Sequence, residues 1–406
     1  MNHTRNQSSN SNISIDPVLR LFHVGGRGPT ISPAECLLPL GKDLEFLIFE
    51  ADIEKAEKGA GISSQEDYEK LTFDYNNQYG VKISVMQKCI SDSVGRKTFH
   101  INVMPECSSL LKISPEAANY SRMSGDGYTT SIVPSFESML KVKKNTKIYT
   151  RMPGNEHRIV WGQICQPTRT VEMETTTLDE LYGKNAVQLP HFLSLDIQGA
   201  EYDTLKGASK ALEGDLMGVL TEVEFRELYE NQKLFTDQAS LLKSHQFSLF
   251  ELYNTEHWYS GPILGKGALV VAEALFLRDF KYFVEKDKEP AVLLPNLAKL
   301  AIIAYSFERV SYAMEIMDYI MGNWKEEWKA LLQQHDIWYM RRLADFYDEI
   351  KANKPKLERK PTYLDIIAKK GQISRPRGKM EQRFRYLMYL AYNVNLRAIV
   401  ERLSRR

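Results

Sequence analysis

Short, nearly continuous apolar runs punctuate the first 280 residues. They are LFHV (21–24), LEFLIFEAD (44–52), VKISVMQKCISD (81–92), HFLSLDIQG (191–199), DLMGVLTEVEF (215–225), FSLFELYN (247–254) and GALVVAEALFLRD (267–279). Runs this short with little polar alternation read as strands covered on both faces. Helix-like stretches lie between several of them, at 53–60, 200–212 and 237–246. Strand and helix in alternation predict an α/β fold around a mainly parallel sheet. The last two runs are joined by loop-like NTEHWYSGPILGK, which predicts a hairpin and an antiparallel strand at the sheet edge.

Outside these runs the texture changes three times. Residues 1–13 are rich in Asn and Ser and are expected to be a disordered tail. Between about 105 and 171 turn-rich segments such as SGDGYTT, KVKKNTK and TRMPGNEH interrupt the pattern, and read as an insertion of the kind that forms lids or acceptor-binding loops. After residue 280 apolar positions recur at helical spacing over 296–321, 324–350 and 378–406; the last would place Phe384, Leu387, Ala391 and Val394 on one face. The expected organisation is a catalytic-type domain over 14–284 and an α-helical C-terminal domain over 285–406.

Composition narrows the class. The chain has 406 residues, 43% hydrophobic and 26% charged, with a formal net charge of +1. That is ordinary globular composition, without the global positive field that would recruit nucleic acid. Cys36, Cys89, Cys107 and Cys165 form neither a CxxC pair nor a Cys/His ligand cluster, so no metal site is expected. Isolated thiols fit a reducing compartment. The polar start MNHTRNQSSNSN lacks the apolar centre of a signal peptide, and no apolar run reaches the ~20 residues needed to cross a bilayer. The expected location is the cytoplasm.

The chemistry begins at HVGGRGP (23–29), where the first strand runs into Gly25, Gly26 and Gly28. Such a loop lets the backbone come close to a ligand. Glu50 ends the second run about 20 residues on, which is where an acid accepts hydrogen bonds from ribose hydroxyls. Pro29 and Pro33 stiffen the loop and the GxGxxG spacing is absent. A nucleoside cofactor without a pyrophosphate, S-adenosylmethionine, therefore fits better than a dinucleotide. Ser91 and Asp92 end the third run, where Asp92 could accept from an adenine amino group; a plain turn reads equally well. Asp196 ends the fourth run, where an ionised acid needs a cation, a donor or water. Glu201 follows on the first turn of a helix, which the helix dipole alone would explain.

FLSLDIQGAEYDTLKGA (192–208) closely resembles the core motif of the FkbM family of S-adenosylmethionine-dependent methyltransferases. SSLLKISPE (108–116), TTTLDEL (175–181), LTEVEFRELYENQKLFTD (220–237) and KGALVVAEALFLRD (266–279) are similar too. The likeness spans about 20–280. It implies a class I methyltransferase, Rossmann-like α/β fold: a seven-stranded sheet with the last strand antiparallel, here followed by the helical C-terminal domain. It also implies methyl transfer to a hydroxyl of a saccharide or polyketide. The family often has Asp where this chain has His23, a position expected to meet the methionine end of the cofactor. It often has Lys and Glu at Ser194 and Gln198, both expected to lie away from direct contact.

Expected cofactor contacts are thus His23, Gly25, Gly26, Gly28, Glu50, Ser91, Asp92 and Asp196. Asp196, Glu222, Glu224 and His257 are candidates for the base that takes the acceptor's proton; Trp258 and Tyr259, beside His257, could stack on a sugar ring. From Arg377 to Arg406 eight Arg or Lys stand against Glu381 and Glu401. That segment could lean on anionic lipid or a phosphorylated glycan precursor, or the helical domain could form a homo-oligomer. The alternative function is a non-catalytic binding or assembly module, which His23 in place of an acid would favour. A nicotinamide-dependent oxidoreductase fits the proline-interrupted loop poorly.

Overall fold

The computed structural model describes residues 16–25, 34–51, 65–123, 158–259 and 267–353. In chain order its strands are β1 (Leu19–Val24), β2 (Leu44–Glu50), β3 (Lys82–Gln87), β4 (Cys89–Ile90), β5 (Gly95–Asn102), β6 (Ser121–Met123), β7 (Arg158–Val160), β8 (Pro167–Thr176), β9 (Phe192–Leu195), β10 (Gly218–Glu224), β11 (Phe247–Trp258) and β12 (Ala268–Arg278). The helices are α1 (Gln65–Tyr79), α2 (Trp161–Ile164), α3 (Leu178–Gly183), α4 (Glu201–Lys206), α5 (Ser209–Glu213), α6 (Phe235–Ser244), α7 (Lys281–Lys286), α8 (Pro290–Ser306), α9 (Val310–Asn323), α10 (Lys325–Gln334) and α11 (Trp338–Asn353).

Among the described residues seven strands form one sheet in the order β11-β12-β10-β9-β1-β2-β3. β1, β2, β3, β9 and β10 run parallel, and β12 is antiparallel to both β10 and β11. The apolar runs are continuous because alternate residues face different cores. Leu19, Leu21, Phe46, Ile48, Phe192, Leu220 and Leu275 enter one, together with Leu297, Ala301 and Ile316 of α8 and α9. Phe22, Val24, Leu193, Leu195, Val219 and Phe276 enter the other, with Leu181, Leu205, Leu212 and Leu242 from α3 to α6. Each side chain so covered contributes about 1.5–3 kcal/mol, and the sheet is held between two helical layers.

Several expectations change. The last strand is antiparallel but interior: β12, almost wholly buried, lies between β10 and β11, whose mixed burial marks it as the edge. The third run breaks at Lys88 into β3, in the main sheet, and β4, in a second sheet of order β4-β8-β5. The turn after β4 carries the chain across the end of β8 rather than closing a hairpin, since β4 and β5 pair with opposite edges of that strand. The helix expected over 200–212 is two, α4 and α5. The chain bends between them at Gly207, whose backbone lies against the Ser91 carbonyl. The helix expected over 53–60 lies outside the described residues; α1, which follows, was not anticipated because its sequence is largely polar and its Phe73 is exposed.

The helices from α7 to α10 share the sheet's core. By compactness the chain divides into Met1–Tyr347 and Asp348–Arg406. At the sheet's amino end the core holds a polar pair. His191 Nδ1 accepts from the Arg20 N–H (2.9 Å) and its Nε2 stands 3.1 Å from Lys299 Nζ on α8. Residues 1–13 and the basic segment 377–406 lie outside the described residues. Among those described, no helix is long and apolar enough to cross a membrane.

Candidate active site

Register places the site. Val24 pairs with Phe49 on one side and Leu195 on the other, so Gly25, Glu50 and Asp196 follow at one level along the carboxyl ends of three adjacent parallel strands. Leu195 pairs with Thr221, and Glu222 with Glu273, which extends the level across β10 and β12. The row reads Glu50, Gly25, Asp196, Glu222, Glu273: four carboxylates and a glycine. Carboxyl ends of parallel strands are where α/β sheets bind ligands.

Gly25 sits at φ +100°, and a Cβ there would stand 1.8 Å from the Asp196 carbonyl oxygen. Its N–H donates to Phe49 O (3.0 Å), while Asp196 N–H donates to Val24 O (3.0 Å). The absent side chain lets the two strand ends meet at the floor of a cleft. Gly25, Glu50, Cys89, Ile90, Asp196 and Gln198 are among its lining residues, with Phe99, Pro105, Ser108 and Leu110 of the second sheet and its following turns above them. The empty space of the cleft, open mouth included, is about 580 Å3. Gly26 and Gly28 lie outside the described residues.

The turn after β9 is fixed from several sides. Glu201 Oε1 accepts from Ile197 N–H (2.8 Å) and Gly199 N–H (3.3 Å), and Ser109 Oγ donates to Gln198 O (2.8 Å). Gln198 is held at φ +58°, a conformation costly for a residue with a side chain. Its Nε2 donates to Asp196 Oδ1 (2.9 Å) and Glu222 Oε2 (3.1 Å), and its Oε1 accepts from Tyr229 OH (3.3 Å). Glu201 is therefore the anchor of this turn as well as a helix-terminal acid.

Burial raises Asp196, Glu201, Glu222, Glu224 and Glu273 above their ordinary range. Asp196 is raised by desolvation, opposed by the Gln198 hydrogen bond. Glu201 is pushed up to about 7, by desolvation first and by the Asp196 charge among lesser causes. Glu222 and Glu224 are raised well above theirs by desolvation and then by their acidic neighbours. Carboxyls in this state can give and take protons near neutral pH.

Other expected site residues stand elsewhere. His23 is 3% exposed within the sheet, on the same face as Leu21 and away from the cleft; burial lowers it to about 4, and its Nδ1 lies 3.1 Å from Ser194 Oγ. Two of the three positions that depart from the family pattern, His23 and Ser194, are thus partners of each other. Ser91 is fully buried and Asp92 is paired with Lys97 Nζ (2.6 Å), which lowers its carboxyl; neither lines the cleft. Glu224 is buried past Glu222 with its Oε2 unpartnered. His257 lies in β11 opposite Leu269, off the cleft.

Trp258 and Tyr259 are packed, not open for stacking. Trp258 lies with Trp161 (ring centroids 4.7 Å apart) and Tyr229 in a third apolar cluster built by the insertion and the segment after β10. Gln198 and Tyr229 were missed by the sequence reading, while the 105–110 segment opens the insertion expected to supply a lid or acceptor-binding loop. Gln198 had been expected away from direct contact, and its acid-linking role depends on a backbone angle and on partners distant in the chain. Among the described residues no group of three or more His, Cys, Asp and Glu is placed to hold a metal ion.

Residues 86–249 match the family described as the methyltransferase FkbM domain. The match covers Asp196, Gln198, Glu201, Glu222 and Glu224; Gly25 and Glu50 precede it. No curated protein and no solved structure matches the chain.

Proposed function

From the premise of a methyltransferase FkbM domain over residues 86–249, we propose that this protein is an S-adenosylmethionine-dependent O-methyltransferase. Its acceptor is a hydroxyl of a saccharide or of a glycosylated or polyketide product. The observation that carries the reading is the level arrangement of Gly25, Glu50 and Asp196 along one cleft. The strand order and the antiparallel β12 also agree with a class I methyltransferase sheet.

The residues fit the cofactor's chemistry. Glu50 is placed to accept from ribose hydroxyls, and Gly25 leaves room for an adenosine to approach the backbone. The carboxylates suit a ligand with a sulfonium and an ammonium group. When bound, S-adenosylmethionine supplies a methyl group already activated on positive sulfur. The protein's share is then alignment and exclusion of water. Asp196, turned by Gln198 at the cleft wall, takes the acceptor hydroxyl's proton as that oxygen becomes nucleophilic. Its raised pKa makes it a stronger base than a solvated carboxylate. Glu222, which is not among the cleft's lining residues, acts on Asp196 through the amide they share rather than on the acceptor. The non-catalytic alternative drew on His23, whose position inside the sheet ties it to strand packing.

Calorimetry with S-adenosylmethionine, S-adenosylhomocysteine and NAD tests this. The first two are expected to bind with micromolar affinity and NAD not at all. Binding of NAD alone would eliminate the methyltransferase reading.

A further inference from the structure

Gln198 has more hydrogen-bonding work than a turn residue needs. A primary amide has two N–H donors and a carbonyl acceptor. Here each donor meets a different carboxylate, Asp196 Oδ1 at 2.9 Å and Glu222 Oε2 at 3.1 Å, and the carbonyl takes the Tyr229 hydroxyl at 3.3 Å. The reverse amide orientation would set its oxygen against two carboxylate oxygens, so the acids fix which end faces them. Tyr229 is buried and rings with Trp161 at 5.9 Å, which holds the far end of the amide still. The backbone is pinned by Ser109 and, on either side, by Glu201, in a left-handed conformation. Strain retained by so many contacts is characteristic of functional positions.

The surroundings explain why a donor is needed. Acids cluster around Asp196 and Glu222, from Glu201 on α4, Glu224 on β10, Glu256 on β11 and Glu273 on β12, while Glu50, Glu106 and the cation Lys88 line the same cleft as Asp196. Two carboxylates at the same level on adjacent strands repel, and left alone one would swing away or keep a proton. An amide with one N–H for each holds both in place.

We propose that Gln198 is a positioning residue of the cleft: its side-chain amide clamps Asp196 and Glu222 in a single geometry and keeps Asp196 ionised for methyl transfer. The proposal rests on the methyltransferase reading for its purpose, but the clamp itself is testable without cofactor or acceptor.

The variants are Gln198→Met, which keeps the length and loses both donors, and Gln198→Glu, which keeps the shape and puts a third acid between the two. In ligand-free protein labelled with carbon-13 at the aspartate carboxyls, the Asp196 signal, assigned by its loss in Asp196→Asn, is titrated by NMR. S-adenosylmethionine affinity is measured by calorimetry across neutral and alkaline pH. In folded Gln198→Met the Asp196 midpoint should rise by about one unit, the tenfold effect of one charge-assisted hydrogen bond. Affinity should fall about tenfold near neutrality and recover in alkali. Gln198→Glu should raise the midpoint by its added charge alone, so Gln198→Leu, which also loses both donors without adding charge, decides the question if Gln198→Met does not fold.

An unchanged midpoint in a folded variant, or an affinity loss equal at every pH, overturns the proposal and leaves Gln198 a structural turn residue. A wild-type protein that binds no S-adenosylmethionine, with a midpoint that still moves in the variant, refutes the cofactor reading and leaves the clamp standing.

Discussion

Gly25→Ala puts the geometry of the cleft floor to a quantitative test. The added Cβ would lie 1.8 Å from the Asp196 carbonyl oxygen and 2.7 Å from its carbon, whereas Cβ contacts below 3.0 Å are essentially unknown. The ends of β1 and β9 must then part by more than an ångström. That movement stretches the 3.0 Å bond from Asp196 N–H to Val24 O and displaces Asp196 from the row. The left-handed backbone adds about 1 kcal/mol, and the clash with a lost buried hydrogen bond about 2–3 kcal/mol more. Gly80 is the control. It also has a positive φ, +70°, but nothing lies within 4 Å of its would-be Cβ, so Gly80→Ala should cost only the conformational part. Urea unfolding reads the stability difference, and calorimetry with S-adenosylmethionine should show Gly25→Ala weakened by at least about tenfold. If the two variants proved equally stable, or Gly25→Ala bound as the wild type does, the close meeting of β1 and β9 would be refuted.

Two further predictions concern pH. Glu201 is raised to about 7 in the folded protein, and Asp196, Glu222, Glu224 and Glu273 are raised with it. At these five groups the folded state binds more protons than the unfolded chain, so their contribution to stability is greatest below the ordinary carboxyl range and is lost as pH rises through 7. Thermal melts should show a higher Tm in mild acid than in mild alkali. Glu201→Gln, which still accepts from Ile197 and Gly199, should flatten that slope, and an unchanged slope would count against it. Lys299 is lowered to about 8 from 10.5 by burial, a cost fully present at neutral pH that lifts as pH climbs from 8 towards 10.5. His191, Asp16, Arg20 and Asp215 are the charged or titratable groups around it. Lys299→Met should be more stable than the wild type at pH 7 and lack the alkaline rise in stability; denaturant unfolding at both pH values decides, and a loss of stability at pH 7 would contradict it.

Much of the sheet was legible because burial on both faces leaves a plain trace. FLIF (46–49) and VL (219–220) are apolar at consecutive positions, and each lies in a strand with alternate residues in different cores. Strand order left a fainter trace: the contrast between the closed β12 and the half-open β11 marks the edge, but only once both are known to pair. Glu50 and Asp196 could be found because an acid at the end of an apolar run is out of place. His23 was misplaced because a polar residue in such a run can equally find a partner across the ladder, as it does in Ser194. Gln198 left no trace, since its role depends on a left-handed backbone angle and on Glu222 and Tyr229, which are 24 and 31 residues away. α1 escaped because a solvent-facing helix lacks the apolar stripe that announces one.

The acid-bearing row has a metric consequence. Strands in a hydrogen-bonded ladder are about 4.8 Å apart, so the three steps from β2 to β10 set Glu50 and Glu222 about 14 Å from each other. The backbone, not the loops, sets this gauge. Loops above the cleft could be exchanged to admit a different ligand while the distance between Glu50 and Glu222 stayed the same.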